Sequence, residues 1–93
     1  MTDNYYIIAF NSTHHAISTE QALKEAQKKI MMIPTPREIT SSCGLSLQIQ
    51  EKDIPFAQET LKNKNLSYYG IFKVKVEQGK KSIEKIVEQG DGH

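Results

Sequence analysis

The fold of this 93-residue chain is decided by the stretch Tyr5-Tyr6-Ile7-Ile8-Ala9-Phe10. Aromatic and β-branched residues favour strands, so this short apolar run predicts a buried β-strand. Side chains of a strand point alternately to its two faces, and both alternating sets in this run are largely apolar. We therefore expect a central strand of a sheet, with both of its faces covered by other parts of the protein.

Helical and strand patterns alternate after this run. Apolar residues at helical spacing, among them Ala16 and Leu23, predict a helix over about residues 13–28. A second helix is predicted over about residues 53–63, where the apolar positions again recur at three- and four-residue steps. Further strands are predicted near residues 29–34, 45–50 and 67–76.

The resulting order, β-α-β-β-α-β, is typical of ferredoxin-like folds. We therefore predict an α+β two-layer sandwich, with a four-stranded antiparallel sheet and two helices on one face. Residues 1–77 would form this single domain, and residues 78–93 a polar C-terminal tail. Within the tail, Ile83, Ile86 and Val87 have helical spacing. A short helix there would cover the free face of the sheet or dock on a second copy in a homodimer.

Composition and charge exclude several classes of function. The chain has 12 basic and 11 acidic residues, so its net charge of +1 offers no strong field for nucleic acid or a membrane surface. RNA-recognition domains share this strand order but carry aromatic residues on the third strand, and residues 45–50 have none. No apolar run approaches 18 residues and no signal peptide is evident, so we expect a cytoplasmic protein.

Reactive chemistry is most plausible in residues 34–44, a loop that holds the only cysteine and the only arginine. A single cysteine excludes an internal disulfide and a cysteine-based structural zinc site. Cys43 is the candidate nucleophile, and the fixed positive charge of Arg37 would favour its reactive thiolate form. Three neighbours would supply hydroxyl groups, adjacent N–H groups and room for a partner to approach the backbone: Ser41, Ser42 and Gly44.

The predicted topology brings the Cys43 loop, residues 11–15 and residues 62–65 to one edge of the sheet. The first helix would begin there, and its N-terminus is a natural position for an anion. The candidate binding residues at that helix start are Ser12, Thr13 and His14. A thiol, an arginine, an imidazole and a helix N-terminus would together suit a soft anionic sulfur or selenium species. Adjacent histidines on a helix point about 100° apart, so no metal site is predicted, and no cofactor is expected.

Several short motifs occur together in this chain: Tyr6-Ile7-Ile8-Ala9-Phe10, Pro34-Thr35-Pro36-Arg37-Glu38-Ile39, Ser41-Ser42-Cys43-Gly44 and Tyr69-Gly70-Ile71-Phe72. The set resembles a small bacterial family of selenium/sulfur carrier-like proteins over about residues 5–76. The most specific part of the resemblance is the loop that ends in Ser-Ser-Cys-Gly. The resemblance implies that Cys43 carries sulfur or selenium as a persulfide or selenopersulfide.

Two functions are consistent with the sequence. In the first, the protein is a relay in which Cys43 accepts a chalcogen from a donor enzyme, such as a cysteine desulfurase, and passes it on by thiol exchange. In the second, the protein is a non-catalytic ferredoxin-like module for ligand binding or protein interaction, and Cys43 is incidental. The exposure and the pKa of the Cys43 thiol separate these alternatives, because only a relay requires an accessible thiolate.

Overall fold

The computed structural model describes residues 2–39 and 44–88. The helices are α1 (Thr13–Glu25) and α2 (Ile54–Asn63), and a single 3-10 turn (Glu51–Asp53) leads into α2. The strands are β1 (Thr2–Ala9), β2 (Ile30–Pro34), β3 (Leu45–Ile49), β4 (Gly70–Glu77) and β5 (Lys80–Glu88). Neither helix in this part of the chain is long and apolar enough to cross a bilayer.

All five strands form one antiparallel sheet in the order β2-β3-β1-β4-β5. Strand β1 lies at the centre, where Ile8 is opposite Leu47 of β3 on one side and Ile71 of β4 on the other. The predicted α+β class, with two helices and an antiparallel sheet, is therefore confirmed. The predicted number of four strands is wrong, because β5 adds a fifth strand beside β4.

Both helices pack on the same face of the sheet. The buried residues of α1 and α2 contact Tyr6 and Ile8 of β1 and Phe10, which directly follows this strand. Ile8 is fully buried and Phe10 is 1% exposed, so this face forms the larger core. The helix residues that supply its other half are Ala16, Leu23, Ile54, Ala57 and Leu61.

A second, smaller core lies on the opposite face of the sheet, where the sequence required a cover. Ile7 and Ala9 of β1 are fully buried there and pack with Phe72 and Val74 of β4. The partly buried residues around them come from strands and connections rather than from α1 or α2: Tyr5, Ile33, Ile39, Tyr69, Val76 and Ile83. Both faces of β1 are thus apolar and covered, although by different kinds of structure.

The predicted short helix around Ile83, Ile86 and Val87 is wrong, because these residues lie in β5. Gln78 and Gly79 have φ angles of 49° and 79° and join Glu77 to its partner Lys80. Two central residues with positive φ are typical of the type I′ turn, whose twist matches a β-hairpin. The helical spacing in the sequence arises from a β-bulge: Ile71 is opposite Val87 and Phe72 opposite Lys85, so β5 has one extra residue between them.

The two helices end in the same way, which explains why α1 stops earlier than expected. Gln27 has a φ of 63°, and the N–H of Lys28 donates to the carbonyl of Leu23. The corresponding residues after α2 are Asn65, with a φ of 56°, and Leu66, whose N–H donates to the carbonyl of Leu61. A residue with positive φ, followed by a residue whose N–H donates to the carbonyl five positions earlier, is the Schellman motif, which terminates a helix.

The hairpin turn gives a test of the fifth strand. An ideal Cβ atom on Gly79 would have no neighbour within 4 Å, so a substitution there acts through the backbone alone. Gly79→Val should lower the free energy of unfolding by about 1–2 kcal/mol, since a β-branched residue resists positive φ. Gly79→Asn is the matched control and should cost much less, because asparagine tolerates this conformation. Equal urea midpoints for the two variants would contradict the type I′ assignment.

Candidate functional site

The end of β1, the beginning of β3 and the beginning of α1 meet at one end of the sheet, called here the loop end. The N–H of Phe10 donates to the carbonyl of Leu45 at 3.0 Å. The connection between α2 and β4 reaches the same place, because Ser67 contacts His15 near the start of α1. The meeting of these segments at one edge agrees with the topology predicted from the sequence.

The loop between β2 and β3 is closed at its base by two hydrogen bonds. The N–H of Thr35 donates to the carbonyl of Gly44 at 3.1 Å. The hydroxyl groups of Thr35 and Ser46 are 2.7 Å apart, and Ser46 is fully buried. Both ends of the loop are therefore held against the sheet. Three predicted site residues lie outside the described residues, so their predicted roles stay predictions: Ser41, Ser42 and Cys43.

Gly44 is required by close packing within the protein. An ideal Cβ atom at this position would lie 2.8 Å from the carbonyl oxygen of Phe10 and 3.2 Å from the hydroxyl oxygen of Thr35. The first of these contacts is shorter than folded backbones tolerate. The sequence suggested that the missing side chain makes room for a partner, but on this side of Gly44 the protein's own chain takes the space.

At the start of α1, Ser12 and His15 are engaged in structural hydrogen bonds. Ser12 is the N-cap residue, and its hydroxyl accepts the N–H of His15 at 3.3 Å. The side chain of Ser12 is therefore occupied with helix capping, which also agrees with the pattern of capping residues in the sequence. Thr13 and His14 are exposed at the surface of the same turn. The side chains of Thr13 and His14 are therefore accessible to a ligand, whereas the hydroxyl of Ser12 already accepts the N–H of His15.

The side chain of His15, the neighbour of the predicted site residue His14, is held by hydrogen bonds to Ser67. Its Nδ1 atom accepts the backbone N–H of Ser67 at 3.2 Å and lies 2.8 Å from the Ser67 hydroxyl. A ring nitrogen that accepts an N–H carries no proton, so the neutral ring holds its proton on Nε2. The two histidine rings are 6.0 Å apart between centroids. Sequence reasoning missed Ser67, because no local pattern connects residues that are 52 positions apart.

Arg37 lies at the start of the loop and is exposed. The backbone there turns sharply, since the N–H of Ile39 donates to the carbonyl of Pro36 at 3.0 Å. No salt bridge or hydrogen bond joins the Arg37 guanidinium to another residue within 2–39 and 44–88. Its charge is thus not neutralised by a described carboxylate. In the same part of the chain, no group of three His, Asp or Glu side chains could hold a metal ion.

A small aromatic cavity lies beside the loop on the face opposite the helices. Its volume is about 360 Å³. Tyr69 and Phe72 are stacked with their ring centroids 6.1 Å apart, and the ammonium of Lys85 lies 5.4 and 5.8 Å from them. Tyr69 is fixed by its N–H, which donates to the carbonyl of Ala9. The remaining lining residues come from the loop and from β5: Glu38, Ile39, Lys81 and Ile83.

Comparison with known proteins gives one match. A family model with the description "Putative Se/S carrier protein-like" matches residues 5–73. The matched region runs from β1 into β4 and includes the whole β2–β3 loop with Cys43, whereas β5 lies beyond it. No curated protein and no solved structure matches the chain significantly.

The packing around Gly44 gives a test of the loop base. Gly44→Ala should lower the free energy of unfolding by about 1–3 kcal/mol, because the new methyl group would press on the Phe10 carbonyl. Glu38→Ala, at an exposed position of the same loop, is the control and should change the melting temperature little. A Gly44→Ala melting curve that coincides with the wild-type curve would show that the loop base is not packed in this way.

Proposed function

Because the chain belongs to the family described as putative Se/S carrier protein-like, we propose that it carries a sulfur or selenium atom covalently on Cys43. The observation that carries this proposal is the family match itself, which spans the loop containing the only cysteine. The cargo would be held as a persulfide or a selenopersulfide. The protein would be a relay, at most a transferase, and would need no organic cofactor.

The geometry of the loop end supports this proposal. Cys43 directly precedes Gly44 in the chain, and Gly44 packs against Phe10, three residues before α1 begins. The partial positive charge at a helix N-terminus and the charge of Arg37, which no carboxylate of the described residues neutralises, both favour an anion at this edge. They would lower the pKa of the Cys43 thiol below the ordinary value of about 8.5. Ser41, Ser42, Thr13 and His14 would then contact the anionic cargo.

The proposed transfer is a thiol exchange. The Cys43 thiolate attacks the outer sulfur of a persulfide on the donor enzyme, and a new S–S bond forms to Sγ. The S–S bond of the donor breaks, and the donor thiolate leaves with the electron pair. No net oxidation or reduction occurs, because the outer sulfur only changes its partner. Attack by an acceptor thiolate on that outer sulfur repeats the exchange and regenerates Cys43.

We also infer that the first four strands and the two helices form a ferredoxin-like unit, with β5 as an addition. The order β2-β3-β1-β4 within the sheet and the position of both helices on one face support this inference.

The donor would be a cytoplasmic enzyme such as a cysteine desulfurase, which produces persulfide at its own cysteine.

A non-catalytic ligand-binding module is the second candidate function. The aromatic cavity beside Ile39 favours it, because stacked rings with a nearby ammonium can bind a small organic anion. In that case Cys43 would react no faster than an unfolded thiol, and a ligand would bind equally well to the Cys43→Ser variant. The relay predicts instead that Cys43 reacts faster than an unfolded thiol and that the Cys43→Ser variant does not bind the cargo.

Loading of Cys43 is the direct test of the relay. After incubation with a cysteine desulfurase and free cysteine, intact-mass spectrometry should show a gain of one sulfur atom, about 32 Da, on the wild type. Cys43→Ser should show no gain, and dithiothreitol should remove the adduct from the wild type. Absence of the adduct while the desulfurase turns over cysteine would contradict the proposal.

The role of Arg37 can be measured separately. Arg37→Ala should slow alkylation of Cys43 by iodoacetamide at pH 7 by about threefold, because less of the thiol is ionised. The difference should disappear near pH 10, where the thiolate is fully formed in both proteins. Arg37→Lys keeps the charge and should retain most of the wild-type rate. A slower reaction that persists at high pH would indicate a change in access rather than in pKa.

A further inference from the structure

A second feature lies at the end of the sheet opposite the loop end. A groove of about 1000 Å³ crosses this end, formed where β1 and β2 begin and β3 finishes. It is named here the lysine groove, because its wall contains five of the 12 basic residues of the chain and one of the 11 acidic residues, Glu51. The lysines come from α1, the segment after it, the 3-10 turn and β4: Lys24, Lys28, Lys29, Lys52 and Lys73.

Three of these lysines have no carboxylate partner in the part of the chain that the structure describes. Lys24 forms a salt bridge with Glu20 at 3.4 Å, and Lys28 forms one with Asp53 at 3.5 Å. No salt bridge within residues 2–39 and 44–88 involves the remaining three groove lysines: Lys29, Lys52 and Lys73. Glu84 is opposite Lys73 in the sheet register, yet the two side chains form no salt bridge. The groove therefore concentrates positive charge on a chain whose net charge is only +1.

The groove also presents apolar surface beside these charges. Met31 is 59% exposed, the largest fraction among the exposed large hydrophobic residues of the described chain. Tyr5 and Ile30 also line the groove and are half-buried, Ile30 on the sheet face that carries the helices and Tyr5 on the opposite face. An exposed methionine is adaptable in shape and is common at surfaces that bind peptides. A ligand that matches both properties has carboxylates for the lysines and at least one apolar side chain.

We propose that the lysine groove docks an acidic segment of a partner protein, with an apolar side chain seated on Met31 of the edge strand β2. Charge complementarity identifies the class of ligand. The groove wall has no arginine, whose planar fork suits phosphate groups, and its lysines are spread over four segments rather than grouped around one anion. An extended peptide with several carboxylates fits such spread charges. The near-zero net charge of the chain disfavours a nucleic acid, which relies on a broad positive field.

This docking site is independent of the proposed chemistry at Cys43. Tyr5 lies near the start of β1 and Ala9 at its end, so the groove and the loop occupy opposite ends of the same central strand. A partner held in the groove leaves the loop end uncovered. Peptide binding in the groove is therefore expected whether or not Cys43 carries sulfur.

The test is an NMR titration of ¹⁵N-labelled full-length protein with a synthetic peptide. The probe is a peptide of about eight residues, which spans about 26 Å when extended, with glutamates on both sides of a Leu-Phe pair. Saturable shifts should be confined to backbone amides around residues 24–31, 48–52 and 73. Raising NaCl from about 0.05 M to about 0.5 M should weaken binding severalfold, because exposed charge pairs are screened.

Matched variants locate the contacts. The triple variant Lys29→Gln, Lys52→Gln, Lys73→Gln should raise the Kd by about tenfold, since it removes the charge pairs of exposed Lys29 and Lys52 and of half-buried Lys73. The control Lys62→Gln, Lys64→Gln, Lys80→Gln changes the net charge equally at exposed positions outside the groove and should bind like the wild type. Lys73 lies 5.9 Å from the Tyr6 ring centroid, so the double variant Lys29→Gln, Lys52→Gln serves if the triple variant melts early. This double variant should raise the Kd of the peptide by about fivefold.

Four results would overturn the proposal. The first is a titration that does not saturate or that shifts amides all over the surface. The second is equal weakening by the groove variants and by the control variant. The third is tighter binding of a single-stranded oligonucleotide than of the peptide at the same salt, which would assign the groove to a different class of partner. A peptide with glutamine in place of every glutamate must bind more weakly, and equal affinity would count against the role of charge.

Discussion

The burial of both faces of strand β1 is the constraint on which the rest of the structure depends. Ile7 and Ala9 on one face and Ile8 on the other have no exposed surface, and Phe10 is 1% exposed. A strand in a two-layer fold normally has one face toward water, so a strand of this kind needs a second cover. Helices α1 and α2 cover one face. The cover of the other face includes Ile39 of the loop, Tyr69 just before β4 and Ile83 of β5.

This second cover connects the candidate site to the stability of the fold. The residues near the loop end contribute apolar surface to the small core and also define the aromatic cavity. Phe10 is used twice, because its N–H bonds to Leu45 and its carbonyl packs against Gly44. The loop that carries the candidate cysteine is therefore anchored to the most buried strand of the protein.

The sequence predicts the parts of this structure that have a regular period. Both helices and strands β3 and β4 follow from apolar spacing, strands β1 and β2 follow from short apolar runs, and the shared edge follows from the order of these elements. Strand β5 could not be predicted in this way, because a single extra residue opposite Ile71 and Phe72 turns strand alternation into apparent helical spacing. A positive φ at Gln78, a residue with no special preference for it, also hides the hairpin turn. Contacts such as His15 with Ser67 depend on tertiary structure alone.

The candidate site shows the same division between local pattern and long-range contact. The loop was identifiable because Arg37, Cys43 and Gly44 stand close together in the sequence. The lysine groove was not, since its charges come from positions between 24 and 73 that only folding brings together. Because net charge counts all residues equally, a value of +1 conceals a groove whose wall carries five lysines and one glutamate. Two opposite ends of one central strand thus present different chemistry, a thiol-bearing loop and a basic groove. A protein built in this way can be held at one end while its other end remains open to a second partner.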